Sequence, residues 1–407
     1  MERNLTEGNM VKTIATFSLP FLLSYFLQTL YGMADLFITG QYNGSDMITA
    51  VSVGSQIMHM VTVMIVGLAM GGTIMIGRYV GAKDDRSLKR TIGNMIVLFM
   101  GLSVVLAVVL LLFTGPITSI LQTPIEAVDG TIRYLQICFI GIPFITAYNV
   151  ISAIFRGMGD SKSPMYFIAI ACIFNIALDY LFIGGMQMGS AGAALATILA
   201  QALSVLIALC SIRKLHLGIR LQKEDFHPEQ KTMKDMLSIG LPVCAQDGFI
   251  QVSFLIITMI ANMRGVDMAA AVGIVEKIIT FIFLIPSSAL STVSAIAAQN
   301  IGAGKPERAR EALRDTALMA FGIGLIIALL TQVLGGALVS LFTTDTYVAM
   351  LGAQYFSTYV FDCAFAGIHF VFSGYFSACD KSIISFLHNV ISILVIRIPM
   401  AYLAMIC

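Results

Sequence analysis

The sequence predicts an all-α integral membrane protein built as two helical units of the same orientation. Three observations lead there. The 407 residues are 58% hydrophobic and only 12% charged, with a mean hydropathy of +0.89; a soluble domain of this length carries far more charge. Eleven apolar segments each approach or exceed the roughly 20 residues a helix needs to cross a bilayer. The first half of the chain also recurs in the second at a nearly constant spacing.

The elements follow in order. A short polar head, Met1–Lys12, runs straight into the first apolar segment, 13–38, with no small-residue cleavage site, so it does not read as a removable signal. Pro20 lies inside that segment, removes a backbone hydrogen bond and is expected to kink the helix as a hinge. Further segments span 48–77, 92–113, 131–155, 164–184 and 191–212. The polar stretch 213–234 then reads as a cytoplasmic linker. Beyond it come 235–262, 269–300, 314–342, 352–378 and 383–407. The organisation expected is an N-lobe (1–212), a linker and a C-lobe (235–407). Gly67, Gly71, Gly72 and Gly77 are spaced for close helix packing.

Basic residues set the orientation. With the N-terminus inside, 20 of the 24 Lys and Arg, Arg3 and Arg220 among them, fall on the inner side; Arg133, Arg264, Lys277 and Arg397 do not. A wrong helix count would scramble this bias. The expectation is a multi-pass protein of the cytoplasmic (plasma) membrane with a cytoplasmic N-terminus.

The internal repeat is visible in Leu19-Pro20 and Leu241-Pro242, in Gly81-Ala82 and Gly302-Ala303, and in Phe155 and Phe376, each ahead of a Gly/Asp/Ser/Lys-type turn. The shift is 221 or 222 residues throughout. An even number of helices per unit relates the lobes by an axis along the membrane normal. The helix at 191–212 would recur at about 413–434, beyond Cys407. The second unit therefore reads as five helices with the twelfth of the fold missing, by truncation or because a partner supplies it.

Composition excludes other classes. A net charge of +1 gives no reason to expect a nucleic-acid partner. Cys138, Cys172, Cys210, Cys244, Cys363, Cys379 and Cys407 are scattered in apolar surroundings without metal or redox spacing. His59, His369 and His388 show no ligand pattern, and GAGKP at 302–306 lacks the first Gly and the Ser/Thr of a phosphate loop. No nucleophile–base set or cofactor loop appears, so neither an enzyme nor a cofactor is expected. With no Trp, Tyr must supply any interfacial belt. The 24 Met fill cores, and a few suit an adaptable cavity.

A charge inside a membrane helix is costly and is read first as functional. In the first half the intramembrane polar residues are Gln28, Tyr31 and Asp35 on the first helix, Asn175 and Asp179 on the fifth and Thr197 on the sixth. Asn175 and Asp179, four apart, share a helix face. Asp35, Asp179 and Thr197 each count to roughly 5–9 Å below the outer boundary at 1.5 Å per residue. Two carboxylates, an amide oxygen and a hydroxyl make an all-oxygen set, able to bind a hard monovalent cation such as Na⁺ or to share a proton. In the second half Asp247, Glu276, Lys277, Asp362 and Arg397 fall nearer mid-helix. They suggest pairs, Asp247 with Lys277 or Asp362 with Arg397, either as structural ties or in a substrate or coupling role.

The stretches QTLYGMADLFITGQ (28–41), GRYVGAKD from Gly77, FRGMGDSKSPM (155–165), NIALDYLFIGG (175–185) and GAALATILAQ (192–201) are specific in order and spacing. With Leu19-Pro20 they resemble the multidrug and toxic compound extrusion (MATE) family over essentially the whole chain. The resemblance implies twelve helices in two six-helix lobes. It implies antiport of amphipathic, often cationic compounds against Na⁺ or H⁺ by rocker-switch alternating access, with a small organic substrate, membrane lipid and a monomer. In one branch of the family, the cation site matches Asp35, Asn175, Asp179 and Thr197. The C-lobe carboxylates of another branch map near Gln251 and Ala366 and are not reproduced here. Two rival readings remain: a lipid-linked saccharide flippase of the same superfamily, for which only Lys277 and Arg397 supply cavity charge, and a truncated non-transporting membrane protein.

Overall fold

The computed structural model describes residues 4–121, 123–214, 221–343 and 345–406. Arg3, Arg220, Cys407 and residues 215–220 of the 213–234 linker lie outside them. Among the described residues there is no strand. Ten helices among these residues are long and apolar enough to cross a membrane, and a bent pair makes an eleventh span.

The first half comprises α1 (Met10–Tyr42), α2 (Ser45–Ala82), α3 (Asp85–Leu112), the short α4 (Thr114–Ile120), α5 (Ile125–Ile140), α6 (Ile142–Gly157), α7 (Lys162–Asp179) and α8 (Gly189–Lys214). The second comprises α9 (Gln230–Asn262), α10 (Val266–Ile282), α11 (Leu284–Gly302), α12 (Pro306–Ser340), α13 (Thr346–Ala378), α14 (Ser382–Ile391) and α15 (Ile398–Ile406).

Several elements differ from the sequence expectation. The segment 131–155 is not one straight helix: α5 and α6 meet at 49°. Pro143 has no N–H to return to Phe139, and a Cβ on Gly141 would run into the side chain of Ile198, so the bend falls where α8 crosses closely. The segment 269–300 is divided at Phe283, shortly before Pro286, into α10 and α11. The last segment is interrupted by a π-helical turn, Ser392–Arg397, between α14 and α15. The third helix begins at Asp85, seven residues before the predicted 92, because Asp84 caps it by accepting the Ser87 N–H at 3.1 Å. Pro20, the expected hinge, lies within α1, and Ser24 Oγ donates to its carbonyl at 2.8 Å.

The repeat is written into the helix caps. Asp84 N–H donates to Tyr79 O at 3.0 Å, and 221 residues later Lys305 N–H donates to Asn300 O at 2.8 Å. Asp160 N–H donates to Phe155 O, and Lys381 N–H donates to Phe376 O, both at 2.8 Å. The residue before each donor, Lys83, Gly304, Gly159 and Asp380, has positive φ, the left-handed ending of a Schellman cap.

The repeat also generates the contact between the halves. Gly81 and Gly302 are repeat equivalents. A Cβ on Gly81 would collide with the Gln299 carbonyl, and one on Gly302 with the Arg78 carbonyl. The backbones of α2 and α11 thus touch twice, symmetrically, as a local two-fold requires. On either side of this contact α2 packs on α9, and α1 on α11. Nearly all the basic connections lie at this end of the bundle, hereafter the basic end. The side-chain hydrogen bonds that cross between the halves, among the described residues, lie in the basic-end half of the helices, from Arg78–Asp380 inward to Tyr25 Oη–Ser291 Oγ at 2.9 Å. Towards the opposite end α10 packs mainly on α9, α11 and α13 of its own half, and meets the first half at Phe281, whose ring centroid lies 6.1 Å from that of Phe26 on α1. The described part of the linker is docked: Asn94 of α3 donates to His227 O at 3.2 Å and accepts from Glu229 N–H at 2.7 Å.

Candidate functional site

The polar residues of the first half converge where α1, α7 and α8 pack. Helix α1 runs away from the basic end and α8 runs towards it, so i and i+4 on one face i and i+4 on the other in reverse. Thr197 Oγ1 donates to Asp35 Oδ2 at 3.0 Å, and one turn nearer the basic end Gln201 Nε2 donates to Tyr31 Oη at 3.2 Å. These two rungs clamp α1 to α8. From α7, Asn175 and Asp179 bring an amide and a second carboxyl against Asp35, close enough to interact with it directly.

Burial decides how this cluster should be read. Asp35 is 2% exposed, Asn175 1% and Asp179 0%. Asp35 lies seven residues before Tyr42, and Asp179 six before Gly185. Thr197 lies eight after Gly189, so the set sits about 9–12 Å from the helix ends at 1.5 Å per residue. Asp35 Oδ1, both Asp179 oxygens, and Asn175 Oδ1 and Nδ2 are buried without a hydrogen-bond partner among the described residues. A buried polar atom left unsatisfied costs about 1–3 kcal/mol, and two carboxylates in contact repel unless a positive charge lies between them. The donor set, oxygen from carboxylates, amide and hydroxyl, suits a hard cation or a shared proton. Immediately after Asp179 the helix widens into a π-helical turn, Tyr180–Gly185, a local distortion common at functional sites.

Gln201 was not singled out in the sequence, although its position four residues after Thr197 puts it on the same face. Cys138 and Tyr134 of α5 are buried nearby, within the electrostatic reach of Asp35. Gln28 sits apart from the carboxylates, beside Tyr148 of α6.

The second-half candidates do not form the pairs expected of them. Among the described residues Asp247 makes no ion pair with Lys277, nor Asp362 with Arg397. Asp247 instead faces α2, its Oδ2 2.8 Å from where a Cβ on Gly67 would be. Arg397 donates to Tyr359 Oη at 2.7 Å and lies over the Phe254 ring, 4.5 Å from its centroid. Thr258 donates to Glu276 at 3.2 Å. The physical reason is reach: the π-helical turn that ends at Arg397 presents its guanidinium to α9 and α13 aromatics, where cation–π contact replaces a carboxylate. Lys277 is exposed on α10.

The chain matches the MatE family model twice, over residues 20–181 and 242–403, two stretches offset by 222 residues. It is 30% identical over 396 residues to the probable multidrug resistance protein YpnP of Bacillus subtilis, covering 97% of this chain and 88% of that one. It is 25% identical to the multidrug export protein MepA of Staphylococcus haemolyticus, covering 92% and 83%. In fold it resembles a solved structure described as an outward-facing conformation of a multidrug resistance MATE family transporter of the MOP superfamily. That match has a TM-score of 0.92 at 22% identity and covers 98% of this chain and 89% of that one. A crystal structure of MATE in complex with MaD3S is similar at a TM-score of 0.91.

Proposed function

This chain belongs to the MatE family of transporters, and from that premise we propose that it is a secondary active antiporter. It exports amphipathic, often cationic organic compounds in exchange for Na⁺ or H⁺ entering from the opposite face. The observation that carries this reading is the buried Asp35–Asp179 pair, with Asn175 and Thr197 around it and five polar atoms lacking hydrogen-bond partners among the described residues.

The mechanism follows from what each residue touches. The basic end is assigned to the cytoplasm by the distribution of Lys and Arg. With the halves sealed at that end, the Asp35 site is reached from outside. A proton or Na⁺ removes the repulsion between the two carboxyls and draws α1, α7 and α8 together. Helix α1 is shared between the halves. Its outer part carries Asp35 against α7 and α8, while Met10, Ile14, Phe17 and Phe21 pack with Ala295, Ile296 and Ala312 of the second half. A change of charge at Asp35 is thereby felt at the inter-half contact through one helix, with Pro20 where the backbone ladder is weakest. Substrate leaves as the ion is taken up, and the halves then rock to open the basic end.

The test is efflux from reconstituted vesicles under an imposed Na⁺ gradient and, separately, an imposed proton gradient, using the wild type, Asp35→Asn and Asp179→Asn. Active efflux driven by one gradient and lost in both variants is expected. Undiminished efflux in both variants overturns the site assignment.

A further inference from the structure

The segment before α1, residues 4–9, is not a free tail. Leu5 is fully buried and packs with Ala295, Ile296 and Ala312 of the second half. Its backbone is held from both sides: Leu5 N–H donates to Gln299 Oε1 at 3.4 Å, and Asn300 Nδ2 donates to Leu5 O at 3.2 Å. Lys305 Nζ donates to Thr6 O at 3.1 Å, and Arg308 Nη1 to Gly8 O at 3.2 Å. All four partners belong to α11, α12 or the turn between them, so the first half's own N-terminus is fastened to the second half.

Gln299 is the centre of this arrangement. It is 1% exposed. Its Oε1 accepts from Leu5, its Nε2 donates to Gly157 O at the end of α6 at 2.9 Å, and its own carbonyl is the atom against which Gly81 of α2 packs. One side chain on the second half thus satisfies two backbone groups on separate segments of the first. Its repeat equivalent is Arg78, which donates across the same interface to Asp380 and to Ala378 O. The two-fold contact therefore carries a neutral clasp on one side and a charged one on the other.

We propose that Gln299 is a positioning residue of the transport cycle, clasping the strap Asn4–Gly8 and Gly157 so that the halves are held closed at the basic end. This goes beyond the ion site and rests on the antiporter reading only in calling closure a step of that cycle. The clasp is polar and neutral, so its strength does not depend on the ion at Asp35. It sets the energy against which ion and substrate work. Opening the basic end breaks the Gln299 bonds and exposes the Leu5 and Gly157 backbone to water, which re-forms their hydrogen bonds. That makes the clasp reversible.

The experiment reads conformation directly, so its outcome does not depend on whether transport is ion-coupled. Spin labels are placed on cysteines replacing the exposed Lys83 and Lys381, one in each half at the basic end, in an otherwise cysteine-free background. A second pair at Met186 and Tyr347 reports the opposite end. Gln299→Ala and, separately, deletion of residues 2–8 are expected to move the Lys83–Lys381 distribution to longer distances. The expected change in the ratio of the two populations is about tenfold, the size of one lost buried hydrogen bond. Gln299→Asn, with a shorter reach, and Gln299→Glu at a pH where its carboxylate is ionised and cannot donate to Gly157, are expected to fall on the same side. Deletion of residues 2–8 leaves every helix intact, so it remains informative if Gln299→Ala is poorly folded. Unchanged basic-end distributions in the deletion and in whichever Gln299 variants fold overturn the proposal. So does an equal shift at both ends, which would report general loosening.

Discussion

Thr197 donates its hydroxyl hydrogen to Oδ2 of Asp35 at 3.0 Å, while Oδ1 of the same carboxyl, equally buried, has no hydrogen-bond partner among the described residues. The asymmetry gives the carboxyl one held oxygen and one unpaired oxygen. Thr197 orients it against α8, and Asp179 and Asn175 of α7 interact with the same carboxyl. Thr197→Val keeps the shape and removes the bond. A hydrogen bond to a charged group is worth about 1.5–3 kcal/mol, so the apparent affinity for the driving ion should change by about tenfold or more, falling if the ion is Na⁺, which needs the ionised carboxylate held in place, and rising if it is H⁺, which competes with the bond, with maximal efflux retained at saturating gradient. Ion-concentration dependence of efflux in vesicles measures this directly.

The second rung separates positioning from coupling. Tyr31 and Gln201 sit one turn closer to the basic end and, among the described residues, hydrogen-bond to each other and to no carboxylate. Tyr31→Phe leaves Gln201 without its acceptor and should cost about 1 kcal/mol of stability. Driven efflux should persist, with the same ion preference as the wild type. A lower thermal midpoint with intact ion dependence is the expected combination. Loss of driven efflux in a well-folded Tyr31→Phe protein would place this rung within the coupling machinery itself.

Most of the fold could be read in the sequence because bilayer length and Lys/Arg asymmetry act on whole segments, where an error of a few residues does no harm. The departures occur where one residue decides. Gly141 and Pro143 bend the 131–155 segment because α8 passes close by, a tertiary fact absent from local hydropathy. Asp84 extends α3 past charged residues that hydropathy had excluded. At the site, the i, i+4 spacing of Asn175 and Asp179 put both on the face that meets Asp35, because helix geometry converts sequence spacing into position. Pairing in the second half was not legible. Depth says nothing about which side of a helix a long arginine side chain takes, and Arg397 turned to Tyr359 and Phe254. Gln299 and Leu5 were not legible either, since their partners lie nearly 300 residues apart in sequence.

The glycines at the two-fold contact are expected to be intolerant in a direction that conformation reveals. A Cβ at Gly81 meets the Gln299 carbonyl, which is backbone and cannot swing away. Gly81→Ala should therefore push α2 off α11 and disfavour the form closed at the basic end. Gly101→Ala, on α3, meets nothing within 4 Å and serves as the control. Amide hydrogen exchange should rise in peptides covering 76–82 and 296–303 for Gly81→Ala alone. Equal exchange in the two variants would mean that the backbones do not approach this closely in the membrane.

The second-half cluster offers a test of division of labour between the halves. Arg397 is held by Tyr359 and the Phe254 face, and Glu276 by Thr258, so charge and aromatic surface lie together without a direct ion pair. Such a surface discriminates organic molecules by shape and charge more readily than it binds a small ion. Arg397→Lys keeps the charge but loses the planar guanidinium that stacks on Phe254 and reaches Tyr359. The expected result is a changed ranking of substrates, with apparent affinities shifted by about three- to tenfold for individual compounds, and an unchanged response to the driving ion. Competition among a panel of cationic and zwitterionic aromatic compounds, assayed in the same vesicles at fixed ion gradient, reads the first quantity, and varying the gradient reads the second. If Arg397→Lys instead abolished the ion response while leaving the substrate ranking intact, the second half would carry part of the coupling now assigned to Asp35 and Asp179.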